Sequence, residues 1–314
     1  MNFKALLTAA ALLLPATISQ ADKFPSGPVE IVIAAGAGAG QDIMVRAIAA
    51  ELEKKWAEPT VVLNKTGGNQ TIADGYVAKA KPDGHTILNF GPNRSLLAAK
   101  NDPNAGYDVV NGLVPVTQVN KQPMVIVTRN SLGVSNLAEF VELAKSAEDP
   151  MIYGDNGPGG ILDLSARRLM VDGGFELTEV SYQSANDVLR ALMGDEVDVA
   201  IVTLGVATSY IKNNMITALA VASAERNAAF PDIPTARESI DTDFAVEHWF
   251  GFFVPKGTPD EIINQLHSDI VEVLGTESVK NLLLNGGFEI VGNSPAEFAK
   301  VVADEVENWK ALMD

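Results

Sequence analysis

Runs rich in β-branched residues at 29–33, 61–63, 86–88, 124–128, 197–202 and 218–221 are apolar almost without a break. Unbroken runs of this length predict strands covered on both faces, as in a parallel sheet. Between them the period lengthens. Val45, Ile48, Leu52 and Trp56 fall on one helical face, and Ile262, Leu266, Ile270 and Leu274 on another. Helix starts are marked as well. Thr258-Pro259-Asp260-Glu261 and Ser294-Pro295-Ala296-Glu297 both read as capping boxes with proline at the first helical position, and Ser184 with Asp187 as a weaker one. Gly194 and Gly286-Gly287 read as stops. The alternation predicts α/β layers with right-handed crossovers. No internal repeat and no low-complexity segment stands out. No Pro/Gly/Ser-rich linker divides the chain, which suits two lobes joined by crossing strands rather than separate beads. Gln122-Pro123 and the stretch 247–253 are the expected crossings. Lobe 1 is then 22–122 plus 247–314, and lobe 2 is 123–246.

The first residues set an expected compartment. Lys4 precedes an apolar run over 5–15, and Ser19-Gln20-Ala21 places small residues where a signal peptidase reads. Residues 1–21 are therefore expected to be a secretory signal peptide, too short to stay as a membrane anchor. The chain has no cysteine, which removes thiol catalysis, disulfide frameworks and cysteine metal sites, along with a lipid-anchored N-terminus. Export without disulfides fits a bacterial envelope, hence the periplasm. With 23 basic and 40 acidic side chains the net charge is −17, which argues against nucleic-acid or anionic-lipid partners. It does not exclude an anionic ligand, because helix N-termini and oriented amides hold anions whatever the net charge.

Two glycine-rich turns carry the main candidate chemistry. Ala34-Ala35-Gly36-Ala37-Gly38-Ala39-Gly40-Gln41-Asp42 follows a strand and opens a helix, with Asp42 expected as its N-cap. Neither glycine frame completes a dinucleotide fingerprint, since Gln41 or Ile43 stands where the third glycine belongs. The next strand ends in Asn64 rather than an acid, and no Gly-Lys-Ser/Thr follows. A tight turn is the plainer account. The glycine run is longer than a turn needs, and that favours a polar or anionic ligand. Gly154-Asp155-Asn156-Gly157-Pro158-Gly159-Gly160 is a second such turn, before a helix near Ile161. Gly91-Pro92-Asn93-Arg94-Ser95, Ser181-Tyr182-Gln183-Ser184 and Thr203-Leu204-Gly205 also follow strands, where open α/β sheets bind ligands. Catalytic sets are poor. His85, His248 and His267 are the only histidines, no serine sits in a nucleophile elbow, and no metal-ligand spacing occurs. His85 and His267 are expected at the surface. No catalytic residue, metal or cofactor is expected.

The order of these motifs resembles the substrate-binding receptors of tripartite tricarboxylate transporters, the Bug family, over nearly all of the chain after residue 21. The resemblance rests on Phe24-Pro25, the strand 29–33, the turn ending at Asp42, Asn64-Lys65-Thr66-Gly67-Gly68 with Thr71-Ile72, and Ala80-Lys81-Pro82-Asp83-Gly84-His85-Thr86. It continues through Pro115-Val116-Thr117, Tyr153 with its glycine turn, Val180-Ser181-Tyr182, Val197-Asp198-Val199, and Leu219-Ala220-Val221 before Pro231-Asp232-Ile233-Pro234-Thr235. Trp249-Phe250-Gly251, Pro255-Lys256-Gly257-Thr258-Pro259 and Ser294-Pro295-Ala296-Glu297-Phe298 complete it.

The resemblance implies an α/β, periplasmic-binding-protein-like fold of type II, two lobes with a ligand cleft between them. It implies a monomeric receptor that delivers a small carboxylate, amino-bearing ones included, to integral-membrane permease subunits. It also implies a cleft lined by Ala35, Gly38, Ala39, Gly40, Gln41 and Asp42, by Asn93, Arg94 and Ser95, by Asp155, Asn156, Gly159, Gly160 and Asp163, and by Gln183, Ser184 and Thr203. This chain departs from the family pattern where Ala34-Ala35 replaces Pro-Phe, Asp155 a common serine and Asp163 a common histidine. These acids would pair with Arg94, meet an amino group on the ligand, or only cap helices. A ligand sensor for a signalling partner and a secreted α/β hydrolase or lyase are the alternative functions.

Overall fold

The computed structural model describes residues 24–67, 71–92 and 112–310. Their strands form one continuous path in the order β2-β1-β3-β9-β4-β7-β5-β6, with β8 and β10 paired to β4. The strands are β1 Val29–Ile33, β2 Thr60–Asn64, β3 Thr86–Phe90, β4 Leu113–Thr128, β5 Met151–Asp155, β6 Leu177–Ser181, β7 Val199–Thr203, β8 Thr217–Ala222, β9 Glu247–Pro255 and β10 Glu289–Ile290. The helices are α1 Gly40–Trp56, α2 Thr71–Ala78, α3 Leu137–Ser146, α4 Ile161–Gly173, α5 Ala185–Met193, α6 Leu204–Lys212, α7 Ala236–Ser239, α8 Asp260–Leu274, α9 Glu277–Asn285 and α10 Pro295–Lys310.

β4 belongs to two sheets. From Leu113 to Pro123 it pairs antiparallel with β9, and from Met124 to Thr128 it pairs with both β7 and β8. The change of partner falls where Pro123 faces Glu247. There the chain also returns, with the Met124 N–H donating to the Val246 carbonyl and the Val246 N–H to Ala222. A proline cannot donate to a ladder, so it is tolerated where one sheet hands over to the next. Pro115 likewise sits at a register shift in the β4–β9 ladder.

The run 61–63 is not covered on both faces as its pattern predicts: it lies in the edge strand β2, where Val61 is exposed and Val62 and Leu63 are half-buried. The runs inside the sheets are unbroken because each face of a sheet has its own helical layer. Val29, Ile31 and Ile33 of β1 pack with α1, α8 and α9, while Val32 points the other way, into a layer with α2 and α10 around Phe90, Trp249, Phe253 and Phe298. The second sheet has a separate core running from Met124 to Val246, including Phe140, Leu189 and Val202. Val45, Ile48, Leu52 and Trp56 are all buried, as their spacing requires.

Two predicted caps hold. Ser294 and Glu297 exchange hydrogen bonds across the start of α10, and the Ser184 hydroxyl accepts from the Asp187 N–H. The box at Thr258 does not form. Its hydroxyl donates to the Pro255 carbonyl, and Pro259 itself precedes the first residue of α8. Thr235 and Glu238 form a further capping box at the start of α7.

Candidate functional site

Strand direction gathers the candidate turns. β1 and β3 are parallel, β3 is antiparallel to β9, and β9 is antiparallel to β4, so β1 and β3 run the way β4 runs, toward the second sheet. β7 is antiparallel to β4, and β5 and β6 follow β7, so these three run back toward the first sheet. The carboxyl ends of all five strands therefore point at the junction where β4 changes partners. The turns after β1, β5, β6 and β7 carry Ala35 to Asp42, Asp155 to Asp163, Gln183-Ser184 and Thr203. Asn93, Arg94 and Ser95 lie outside the described residues.

The turns after β1 and β5 are built alike. Gly38 and Gly159 take positive φ, 81° and 75°, a region open to glycine at little steric cost. Ala39 donates to the Gly36 carbonyl and Gly160 to that of Gly157. Helix α1 then starts at Gly40 and α4 at Ile161, without a side-chain cap. Asp42 is therefore not the N-cap of α1. It stands two residues inside the helix and reaches back to the Gly38 N–H at 2.9 Å. Asp163 does the same to Gly159 at 2.6 Å. Each aspartate also holds an arginine one turn on, Arg46 at 2.9–3.0 Å and Arg167 at 2.7 Å. The motif Gly-x-Gly-x-x-x-Asp-x-x-x-Arg thus occurs twice, once in each sheet, a repeat that is hard to see in the sequence because the residues between these positions all differ.

Environment separates the two copies. Asn64 donates to Asp42 at 2.8 Å and to the Ala35 carbonyl, and it accepts from Arg46. The Arg46 hydrogen bond first, then the Gly38 and Asn64 donors, hold the Asp42 carboxyl well below the usual range. Its oxygens are spent on the turn. Asp163 instead accepts the Tyr153 hydroxyl at 2.8 Å, and Arg167 continues to Glu179 at 3.0 Å. Burial, reinforced by the Asp163 hydrogen bond and its charge, pushes the Tyr153 phenol up. Asp155 ends β5 wholly buried. Its Oδ1 accepts the Gly157 N–H, and its Oδ2 has no partner.

The amides of the first turn of a helix have no intrahelical partner. At α1, Gly40 is exposed and Gln41 half-exposed. The Gln41 side chain is tied down separately, donating to the Asn89 carbonyl and side chain at 3.0 Å, with Asn89 held to the Gly251 carbonyl. This end of α1 offers backbone donors and the positive end of a helix dipole on a fixed base. Asn156 and Gln183 are both exposed, while Gly160 is half-buried and Thr203 buried. The Ser184 hydroxyl donates to the Asp187 carboxylate at 2.6 Å while capping α5. The Gly205 N–H donates to the Gln122 side chain, joining α6 to β4 across the junction.

None of the three histidines neighbours Asp155 or Asp163. His85 accepts from the Ser26 N–H, and His267 lies half-buried against the Asn293 carbonyl. His248, on β9 beside the junction, packs edge-on against Phe250.

Two separately cored sheets, two crossings and strand ends converging between them define a two-lobed binding protein of the periplasmic-binding-protein class. The chain belongs to the tripartite tricarboxylate transporter family receptor family, TctC, whose pattern matches residues 44–314. It is 30% identical over 300 residues to a UPF0065 protein of Bordetella pertussis, covering 94% of this chain and 91% of that one. Among solved structures it is similar to MatC from Rhodopseudomonas palustris with bound malate, at 27% identity and a TM-score of 0.79, covering 93% of this chain and 100% of that one. A second R. palustris structure, with adipate, is 28% identical with a TM-score of 0.78, covering 92% and 97%.

Proposed function

We propose that this chain is a periplasmic receptor that closes its lobes on a small carboxylate and presents it to the permease subunits of a tripartite tricarboxylate-type transporter. The observation that carries this reading is the exposed start of α1, with its Gly40 and Gln41 amides at a strand end directed at the junction. A carboxylate there meets oriented N–H donors and a favourable dipole without any need for a cationic side chain. The malate and adipate held by the two similar structures are carboxylates, and the family is one of solute receptors. The lobes are residues 22–122 with 247–314, and 123–246. They hinge where β4 passes Pro123 and the chain returns through Val246 and Glu247. Asp155 and Asp163 lack a histidine partner, which supports a binding role over hydrolysis. No described helix is long and apolar enough to cross a membrane, in keeping with a partner that supplies the membrane part.

The test is Gly40→Asp. A Cβ at Gly40 meets nothing within 4 Å, and an acid in the first turn of a helix is favourable by about 0.3–1 kcal/mol. Folding is therefore kept, while a fixed carboxylate competes for the same amides. Calorimetry with a panel of mono-, di- and tricarboxylates should give a binder for the wild type and a loss of at least about tenfold in the variant, roughly 1.4 kcal/mol. Full affinity in Gly40→Asp would remove α1 from the site.

A further inference from the structure

We propose that Asp155, Asp163 and Glu179 form a binding site for a hard divalent cation of the calcium class beneath the second glycine turn. One carboxylate oxygen from each of the three lies within 4.8 Å of the other two. That is the widest separation two oxygens can have across a cation with Ca–O bonds of about 2.4 Å. Asp155 is 0% exposed and Asp163 1%, and the Asp155 Oδ2 is buried without a hydrogen-bond partner. A buried carboxylate oxygen left unpaired is strongly unfavourable unless a cation or donor meets it.

The other polar groups leave room for that cation. Arg167 takes the Asp163 Oδ1 and the Glu179 Oε2, and the Tyr153 hydroxyl donates to the same two oxygens at 2.8 and 3.3 Å. The opposite oxygens carry one neutral contact each. Asp163 Oδ2 accepts the Gly159 N–H, and Glu179 Oε1 accepts the Ser181 hydroxyl at 3.2 Å. Three carboxylates against one guanidinium leave two negative charges, which a divalent ion balances. The Glu179 side chain, 29% exposed, gives the ion a way in. Oxygen-only donors suit calcium, which accepts carboxylates in flexible geometry, better than magnesium, which demands a tighter octahedron. Bound there, the ion would brace the turn at 156–160 from below, just behind the proposed cleft.

The experiment uses chelator-treated full chain and the variants Asp155→Asn and Glu179→Gln. Asp155→Asn keeps an acceptor for the Gly157 N–H, and Glu179→Gln alters a partly exposed group, so at least one variant folds. Terbium serves as the probe, because Tyr153 stands beside the site and sensitises its luminescence. The wild type should show terbium emission that calcium displaces, and calcium at about a hundred times its dissociation constant should raise the melting temperature by about 4 °C. Both effects should be lost in Asp155→Asn and weakened in Glu179→Gln, with magnesium giving the smaller shift. Absence of both effects in the wild type overturns the proposal. So does an equal calcium shift in all three proteins, which would assign the ion to the generally acidic surface.

Discussion

His248 shows how one buried atom sets a pH response. Its Nδ1 is enclosed without a hydrogen-bond partner, and burial pushes the imidazole down to about 4 from an ordinary 6.5. A histidine depressed in the folded state contributes stability that is complete above its unfolded pKa and is lost as pH falls below it. Between pH 7 and 5 the loss is about 2 kcal/mol on that shift. Chemical denaturation of the wild type should fall by this amount over that window, and His248→Phe should be flat there. A wild type with no slope between pH 7 and 5 would show that the ring is solvated. Asp42 acts in the opposite pH range. Its carboxyl is depressed, so its contribution stands above the normal carboxylate range and disappears only in stronger acid. The sequence pattern marks Asp42 as important but mistakes its role. A run of alternating glycine and alanine does not say which residue is the last extended one, so the pattern places the helix start late. The aspartate then reads as a cap when it is the acid that reaches back to the turn.

At the scale of elements, the inner strands and the amphipathic helices were legible because burial leaves an unbroken or periodic apolar record, whereas the apolar run 61–63 marks an edge strand with Val61 exposed rather than one covered on both faces. The sixteen-residue strand β4 was not. Pro115 and Pro123 read as breaks, so only 124–128 stands out as strand, yet both prolines sit where the ladder is already irregular or changing partners. The two-residue β10 leaves no pattern. The doubled Gly-x-Gly-x-x-x-Asp-x-x-x-Arg turn is also hidden, since only the glycines, the aspartate and the arginine recur and every residue between them differs. The acids at Asp155 and Asp163 stand out as departures from the family, but their grouping with Glu179 depends on β6 lying beside β5 in register, Tyr153 opposite Glu179. Sequence spacing alone does not supply that. The shared turn makes a prediction. Gly38 has φ +81° and open space where a Cβ would stand, so Gly38→Ala meets strain and no clash. It should lower stability by about 1 kcal/mol and weaken carboxylate binding by tilting the first amides of α1. Denaturant midpoints and calorimetry on the same preparation read the two effects separately. A variant with unchanged stability and affinity would mean that the positive φ is not required.

At the scale of the molecule, the question is what the junction allows to move. Among the described residues the two sheets are joined through β4 and through the return at Val246 and Glu247, and a close contact lies beside these passages. Thr203, the last residue of β7, pairs with Met124 just past the partner change in β4. The next turn brings Gly205 against Gly286-Gly287, which ends α9, a helix packed on the first sheet. A Cβ on Gly205 would stand 2.4 Å from the Gly286 carbonyl oxygen and 2.7 Å from the Gln122 side-chain oxygen, while one on Gly287 would stand 2.8 Å from the Gly205 Cα. Backbone meets backbone there because both partners lack side chains. A contact this near the proposed pivot would move little in the proposed closure and would fix its axis without opposing the swing. Gly205→Val breaks that arrangement, since the nearest obstacle is main chain and cannot turn aside. The lobes must part locally, at about 1–3 kcal/mol of stability, and the axis shifts away from α6. Small-angle scattering should then show a larger radius of gyration for ligand-free Gly205→Val than for the wild type, and a smaller contraction when the carboxylate is added. Affinity should fall although no residue lining the proposed cleft has changed, and Gly287→Ala, pressing on the same contact from the opposite lobe, should shift the scattering in the same direction. If both variants contract on ligand as the wild type does, the glycine contact is only local packing, and the axis is set by the crossings at Pro123 and Val246 alone.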